Sequence, residues 1–458
     1  MRTLETLWDK GNVRHLLSRT LMTFNDKDVD FALSMSMEEF VTNFLLKQLP
    51  APPVPADWVY EIPQVLNGPH NEEYHKVLVE WYIKLLYNHS YSLQERLMLF
   101  LHNHFTTEVR KAFQIQRVYQ QSMLIRQYVF GNFKQLTKDI TVDPAMLIYL
   151  DGSTNTKDSV NENYSRELLE LFTIGIGNYT QEDIKQGALA LTGWKVPDNS
   201  MDAAFDPKLH FGGAVTYLGK VGNFSYNDVV DLIFEKPATA RYICNKLCIE
   251  FISPKPDESF VDELAQVFSD HSYELRPVLA HMFMSTYFYH EENKASKIKN
   301  PVEFVLSSLH MFGLDLKKCN VIRHFLYRQD QDLFNPPDVK GWRGQRKWIN
   351  STTYSIRNAF SKMLFDGTDL DNNAYEPTVD VIAFAKKFSS QNDAVKLVDD
   401  ISNYIFHYPL STERKDFLLG FLTEGNDPSY WSIDSASAPE KLKKLLRMAL
   451  TFPEFQLH

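Results

Sequence analysis

Apolar residues recur at helical spacing along most of the chain. Near the start, Val13, Leu16 and Leu17 lie three and four residues apart, so they share one face of a helix. Longer patterns of the same kind cover about 71–88 and 92–112. Helical spacing of this extent, with few alternating segments, predicts a mainly α-helical protein.

Capping signals mark several helix starts and agree with the apolar pattern. Ser92 and Glu95 have the spacing of a capping box, in which each side chain satisfies a free backbone N–H group. Asp143 followed by Pro144 predicts another helix start, since aspartate caps the helix and the first turn tolerates proline. Thr180 and its followers repeat the capping pattern.

One stretch departs from the helical pattern. Residues 205–224 carry several glycines and alternate at Val215 and Tyr217, which predicts a small β-hairpin or flap. It separates an N-terminal half, 1–204, from a C-terminal half, 225–458. We expect the two halves to pack as one integrated globular unit.

Composition limits the classes of function. The chain has 458 residues, 44% of them hydrophobic, so it can bury a large core. Its net charge of −10 disfavours nucleic acid as the main partner, since phosphate binding requires concentrated Lys and Arg. Three cysteines imply no disulfide framework. No signal peptide and no apolar run of ~18 residues is evident, which predicts a cytoplasmic protein without a membrane span.

The stretch from Asn161 to Trp194 holds the densest set of polar groups. A predicted helix over 162–174 places Asn163, Arg166, Glu167 and Glu170 along one side, beside an apolar stripe. We expect this side to face an enclosed pocket, in which the carboxylates act as acid, base or metal ligand. The alternative is a structural network, with Arg166 and Glu170 as an ordinary helical ion pair.

Two further groups are predicted to face the same pocket. Asn161, Asp151 and Asn155 lie in the polar loop before the helix and are expected to order the mouth of the pocket and bind ligand. His102 and His104 lie on the preceding long helix, but two residues apart they point in different directions. His104 is either a core histidine or, with Glu108 one turn later, half of a metal site.

Motifs along nearly the whole chain carry a family resemblance. The chain resembles the bacterial domain of unknown function 1800 family. The matching segments are HLLSR at 15–19, QERLMLFLHNHF at 94–105, DPAMLIYLDGSTN at 143–155, NENYSRELLELFTIGIGNYTQEDI at 161–184, ALTGW at 190–194, TYLG at 216–219, KPATARYICNKL at 236–247 and FNPPDVKGW at 334–342.

The resemblance implies a largely helical fold but no known activity. Many relatives look exported, and many are encoded beside a family that resembles sulfatases, which implies a sulfatase-like protein as a partner. Leu101 stands where relatives have tryptophan, and His210-Phe211 where they have a His-Asp pair. No role of that pair is therefore carried over to this chain.

Together these observations leave two hypotheses for function. The first is an enzyme in which Arg166, Glu167, Glu170 and His104 are catalytic, with metal-assisted hydrolysis or transfer on a small polar, carbohydrate-like substrate. The second is a helical binding or assembly protein, in which the same cluster fixes helix register. The identity of any metal or cofactor is left open.

Overall fold

The computed structural model describes residues 7–62, 70–112 and 114–458. Over this part of the chain, 22 α-helices and two small antiparallel sheets confirm the predicted mainly α-helical fold. The helices are α1 (Lys10–Thr20), α2 (Asp26–Leu33), α3 (Met37–Glu39), α4 (His70–Asn88), α5 (Leu93–His104), α6 (Val109–Ala112), α7 (Ile115–Gln127), α8 (Phe133–Thr141), α9 (Pro144–Tyr149), α10 (Asn163–Glu167), α11 (Gln181–Ala190), α12 (Tyr226–Phe234), α13 (Pro237–Phe251), α14 (Glu258–Asp270), α15 (Leu275–Met284), α16 (Pro301–Met311), α17 (Cys319–Arg328), α18 (Ser351–Asp366), α19 (Val381–Ala385), α20 (Ala394–Ile405), α21 (Thr412–Thr423) and α22 (Ala438–Thr451). The strands are β1 (Trp194–Lys195), β2 (Ala204–Phe205), β3 (Val215–Tyr217) and β4 (Lys220–Gly222).

Most of the predicted helix starts are confirmed. Asp143 caps α9, its carboxylate accepting from Met146 N at 2.9 Å, and Pro144 occupies the first turn. Thr180 and Asp183 form the complete capping box of α11. The box at Ser92 is only half formed, because Glu95 binds a buried arginine instead of the backbone.

The long helix expected over 92–112 is interrupted, and that prediction is wrong in its extent. The backbone leaves helical geometry at Phe105 (φ −94°, ψ 64°), and a new short helix starts at Val109. The Thr106 hydroxyl donates back to Asn103 O at 2.7 Å, and Val109 N donates to Phe334 O at 2.9 Å. The chain is thus diverted toward a distant loop, and Glu108 does not follow His104 on one helix.

The predicted hairpin is confirmed within 205–224. β3 pairs with β4 in antiparallel register, with Thr216 opposite Val221. The turn places Leu218 (φ 49°) and Gly219 (φ 86°) in left-handed conformations, as two-residue hairpin turns require. A second two-stranded sheet, β1 with β2, was not anticipated; it pairs Trp194 with Phe205.

Buried apolar side chains form two clusters that interleave along the chain. The first draws on 7–46, 93–105 and 125–289. The second draws mainly on 58–86, 109–119 and 302–455, where α4 packs against α7 and α17. None of the helices in the described ranges combines the length and apolarity that a bilayer crossing needs.

Candidate functional site

The loop that precedes α10 is held by its own asparagine side chains. Asn155, 3% exposed, accepts from Asn161 N at 2.9 Å and donates to Ala188 O at 2.8 Å. Asn161 in turn accepts from Asn163 N at 2.9 Å through its side-chain oxygen. These amides hold backbone, so Asn155 and Asn161 position the start of α10.

Asp151 lies at the other end of this loop. Its carboxylate accepts from Asn163 Nδ2 at 2.9 Å and lies 3.7 Å from Lys111 Nζ. Lys111 also extends over the Tyr149 ring, with its Nζ 5.4 Å from the ring centroid. Asp151 adopts a left-handed backbone (φ 60°), so the loop turns sharply here and its carboxylate stays partly exposed.

Arg166 forms a different ion pair from the one expected. Its guanidinium donates to Glu162 at 2.9 Å and to Gln181 at 3.1 Å, and its side chain is 37% exposed. Arg166 therefore pairs with Glu162, which precedes it in the chain, and with Gln181 of α11. It does not pair with Glu170, which follows it.

A π-helical turn, Leu168–Thr173, continues α10 and carries the second half of the predicted polar side. Ile174 N donates to Leu169 O, five residues earlier, and the Thr173 hydroxyl donates to Leu168 O at 2.5 Å. Turns of this wider kind occur frequently at functional sites. Here the turn sits between Glu167 and the glycine that ends the segment.

Glu167 is the half-buried carboxylate of this region. Within the described ranges, no hydrogen bond or ion pair reaches its side chain. Burial raises the pKa of Glu167, the neighbouring Glu170 raises it further, and Arg166 and Lys340 partly oppose both effects. Desolvation favours the protonated form of a carboxyl group, and a carboxyl group without a fixed partner can donate its proton to a ligand.

Three tyrosines surround these carboxylates. The Tyr179 hydroxyl donates to Glu170 Oε2 at 3.1 Å, and burial followed by this bond raises the pKa of Tyr179 to about 12. Burial, with Glu170 nearby, raises the pKa of Tyr242 to about 12 as well. Burial raises the pKa of Tyr149, and Glu167 adds to this effect. We call Tyr149, Glu167, Glu170, Tyr179 and Tyr242 the carboxylate seam.

His104 contacts the seam segment from α5, and its hydrogen bonds fix its tautomer. Its Nε2 lies 3.0 Å from Phe172 O, which only accepts, so Nε2 carries the proton. Its Nδ1 therefore accepts from Lys246 Nζ, at 2.8 Å. Burial and the charge of Lys246 hold the pKa of His104 well below its usual value, so the ring is neutral. Burial also lowers the pKa of Lys246 to about 8.

His102 lies apart from the seam. It packs between Phe334 and Trp342, with ring centroids 5.0 and 5.6 Å away, and burial lowers its pKa to about 4. Its Nε2 has no hydrogen-bond partner among the described residues. The structure thus brings His104, but not His102, against the predicted helix.

A loop from the C-terminal part of the chain completes the region. Trp342 N donates to Asn103 Oδ1 at 2.6 Å, at the end of α5. Gly341 (φ 76°) permits this approach, since a Cβ there would lie 2.2 Å from the same oxygen. The loop brings Lys340 near Glu167 and Asp338 near Tyr149.

The tyrosines, Lys246 and Lys340 were not identified from the sequence as members of this site. They come from separate elements, and no periodicity connects them. The available signal was that 94–105, 161–184, 236–247 and 334–342 carry motif-like strings. Those four segments meet here. Within the described ranges, no three His, Cys, Asp or Glu side chains are grouped so that they could hold a metal ion.

A family model described as a protein of unknown function, DUF1800, matches residues 15–457. The chain belongs to the DUF1800 family. The match covers nearly the whole chain, so the four converging segments all lie within the DUF1800 region. No curated protein and no solved structure matches the chain.

Proposed function

We propose that this protein is an enzyme that uses the carboxylate seam for acid–base hydrolysis or transfer on a small polar, carbohydrate-like substrate. The observation that carries the proposal is the state of Glu167. Its carboxyl group is half-buried, has a raised pKa and is engaged by no other described side chain. A carboxyl group with these properties is suited to general acid catalysis.

The other seam residues have distinct roles in this proposal. Glu167 in its protonated form donates to the oxygen of the leaving group. Glu170, oriented by the Tyr179 hydroxyl, accepts the proton of an attacking water or alcohol. The partly exposed rings of Tyr179 and Tyr242 offer flat surfaces for the apolar faces of a sugar ring. Lys340 and Arg166 lie close enough to affect the charge at Glu167 and would orient polar groups of the substrate.

His104 and Lys246 support the π-helical turn that carries Glu170. The neutral imidazole connects the π-helical turn to the Lys246 ammonium group through its two nitrogens. Both ring nitrogens of His104 are occupied by these contacts, so we assign His104 a positioning role. It holds the backbone that carries Glu170 at a fixed distance from α5 and α13.

The proposal is tested with purified full-length protein on a panel of chromogenic glycosides and esters. We expect Glu167→Gln to lower kcat by about 10²–10⁴-fold on any substrate that is turned over, because a general acid contributes about that much. Glu162→Gln is the matched control: Glu162 lies five residues before Glu167 and outside the carboxylate seam, in a partly exposed pair with Arg166. Equal turnover by wild type and Glu167→Gln would contradict the proposal.

A second candidate function is a binding or assembly protein without catalysis. It is favoured by the Asn155, Asn161 and His104 side chains, which all bind backbone or a neighbouring side chain of the same chain. In this case a sulfatase-like protein is the expected partner. Co-purification with such a protein, undiminished in Glu167→Gln and without turnover of any panel substrate, would favour this function.

We also propose that the protein acts in the cytoplasm. The cysteines Cys244, Cys248 and Cys319 are free and buried, as a reducing compartment allows. Fractionation of cells that produce the untagged protein tests this location, and recovery in an exported fraction would contradict it.

A further inference from the structure

A narrow crevice of about 30 Å³ lies between α1, α5, α16 and the end of α20, and it shares no lining residue with the carboxylate seam. Its lining runs from the exposed residues Asn25 and Asp26 to the buried residues Arg96, Lys299 and Glu303. A space of this volume holds about one or two water-sized species, so a sugar or a phosphate group is too large for it.

Two ion pairs account for four of the five Lys, Arg, Asp and Glu side chains in this lining. Arg96 Nη1 lies 2.7 Å from Glu303 Oε1, and Arg14 Nη1 lies 3.2 Å from Asp26 Oδ1. Lys299 is the fifth, and within the described ranges its Nζ forms no ion pair. The lining therefore carries one positive charge that no side chain of the crevice balances.

Lys299 is buried without a polar partner. It is 3% exposed, and in the described part of the chain no hydrogen bond reaches its Nζ; the ring centroid of Phe455 lies 4.3 Å away. The unpartnered Nε of Arg96 is fully enclosed, whereas Lys299 Nζ is not and keeps accessible surface. The crevice is the space that Lys299 borders. An ammonium group held there without a counter-charge is costly.

Two buried arginines add positive charge to these surroundings. Arg19 donates to a backbone carbonyl and to a serine hydroxyl, and Arg357 donates to a glutamine amide and to Lys299 O. Both are at most 1% exposed, and neither forms an ion pair with a carboxylate of the described residues. Their charges thus do not offset that of Lys299.

Two histidines of the lining are neutral. Burial holds the pKa of His407 well below its usual value, and Lys299 and Arg14 add to this effect. Burial and nearby cations do the same to the pKa of His458. Burial also lowers the pKa of Lys299 to about 7, although Glu303 opposes it. Positive charge is disfavoured here, and a negative ion would relieve that effect.

Two hydroxyl groups of the lining are also available as donors. Thr23 is half-buried, and no described residue forms a hydrogen bond with its hydroxyl. The Ser307 hydroxyl donates to Phe304 O at 3.3 Å, a long contact that it can exchange for a shorter one.

We propose that this crevice binds one small monovalent anion, of the size of chloride, beside Lys299. One negative charge balances the one unpaired positive charge of the lining, and the volume admits an ion little larger than water. Attraction between the two charges is stronger in this poorly solvated space than in bulk water. The inference goes beyond the proposed function, because it holds whether or not the carboxylate seam catalyses a reaction.

Chloride binding to the full-length protein tests the proposal. Sodium chloride is titrated into protein kept in sodium gluconate of equal ionic strength at about pH 6.5, and line broadening of the chlorine NMR signal measures the Kd. We expect saturable binding, and we expect Lys299→Met to raise the Kd about tenfold or more, because it removes the unpaired charge. Lys208→Met is the matched control: it removes an exposed lysine without an ion pair and should bind as wild type does.

Crystals soaked in sodium bromide locate the ion, because bromine scatters anomalously, and we expect a peak beside Lys299 Nζ. Absence of saturable broadening in wild type would overturn the proposal, and so would an unchanged Kd in Lys299→Met. If Lys299→Met does not fold, the bromide peak decides: a peak beside Lys299 Nζ supports the site, and its absence contradicts it. Displacement of chloride by inorganic phosphate would contradict the size of the site. Unchanged chloride binding by Glu167→Gln is expected, since the site is separate from the seam.

Discussion

Two polar regions of the molecule differ in how their carboxylates are used. In the interior, Glu303 is 4% exposed and fully engaged: Arg96 Nη1 lies 2.7 Å away, Asn300 N donates at 2.8 Å, and His458 Nε2 lies at 3.5 Å. In the seam, no residue that the structure describes makes such a contact with Glu167. The first carboxylate is fixed by several partners, whereas the second has no fixed partner among the described residues.

The interior group also connects distant parts of the chain. Arg357 donates to Gln456 Oε1 at 3.0 Å and to Lys299 O at 2.8 Å, and Lys297 donates to Ile249 O at 2.7 Å. We call Arg96, Lys297, Lys299, Glu303, Arg357 and His458 the internal charge network. The number of charged groups in a region therefore does not distinguish a site from a structural network; the proposed site rests instead on a partly desolvated group without a fixed partner.

The largest effect is expected in the internal charge network. Glu303→Gln keeps the shape and the cap of α16 but leaves Arg96 without its carboxylate. Loss of one partner of a buried pair costs about 3–5 kcal/mol of unfolding free energy. Urea unfolding measures this loss. The matched control, Glu235→Gln, breaks an exposed pair with Lys220 and should cost at most about 1 kcal/mol. Equal losses in both variants would remove the contrast between the two regions.

A pH-dependent effect is expected at His104, where the seam meets the core. Its pKa in the folded protein lies well below the usual value near 6.5, so below that pH the unfolded chain takes up a proton that the folded chain does not. Stability is therefore full above about pH 6.5 and falls as the pH decreases. His104→Gln should reduce this fall by up to about 1.4 kcal/mol per pH unit. Unfolding measured at pH 7, 6 and 5 checks it; an identical slope in both proteins would contradict the neutral, buried imidazole.

The smallest effect is expected at Arg166. It pairs with Glu162 across a partly exposed surface, and such pairs contribute about 0–1 kcal/mol. Arg166→Ala should therefore lower the melting temperature only slightly. A severe decrease in melting temperature, comparable to that of Glu303→Gln, would show instead that Arg166 belongs to a structural network, as Glu303 does.

Local sequence signals predicted much of the fold. Features that depend on contacts between distant parts of the chain could not be predicted. The caps at Asp143 and Thr180, and the hairpin around Val215, depend on neighbours within a few residues and were predicted correctly. The helix break at Phe105 depends on a bond from Val109 to a loop more than 200 residues later, so no local pattern indicates it.

Only part of the candidate site could be predicted from the sequence, for the same reason. Helical spacing placed Glu167 and Glu170 together, but their three tyrosine neighbours, Tyr149, Tyr179 and Tyr242, come from separate parts of the chain. Helical spacing also suggested an Arg166–Glu170 pair, whereas Arg166 instead contacts the partly exposed Glu162 and the exposed Gln181. The internal charge network joins residues 96 to 458 and has no sequence signature at all.

The most direct test of the difference between the two regions is the unfolding free energy of Glu167→Gln, measured beside wild type at pH 7. If Glu167 is free for chemistry, the variant loses a partly desolvated carboxyl and its repulsion from Glu170, so its stability should equal or slightly exceed that of wild type. A loss of about 3 kcal/mol or more would show instead that Glu167 holds the fold together, as Glu303 does.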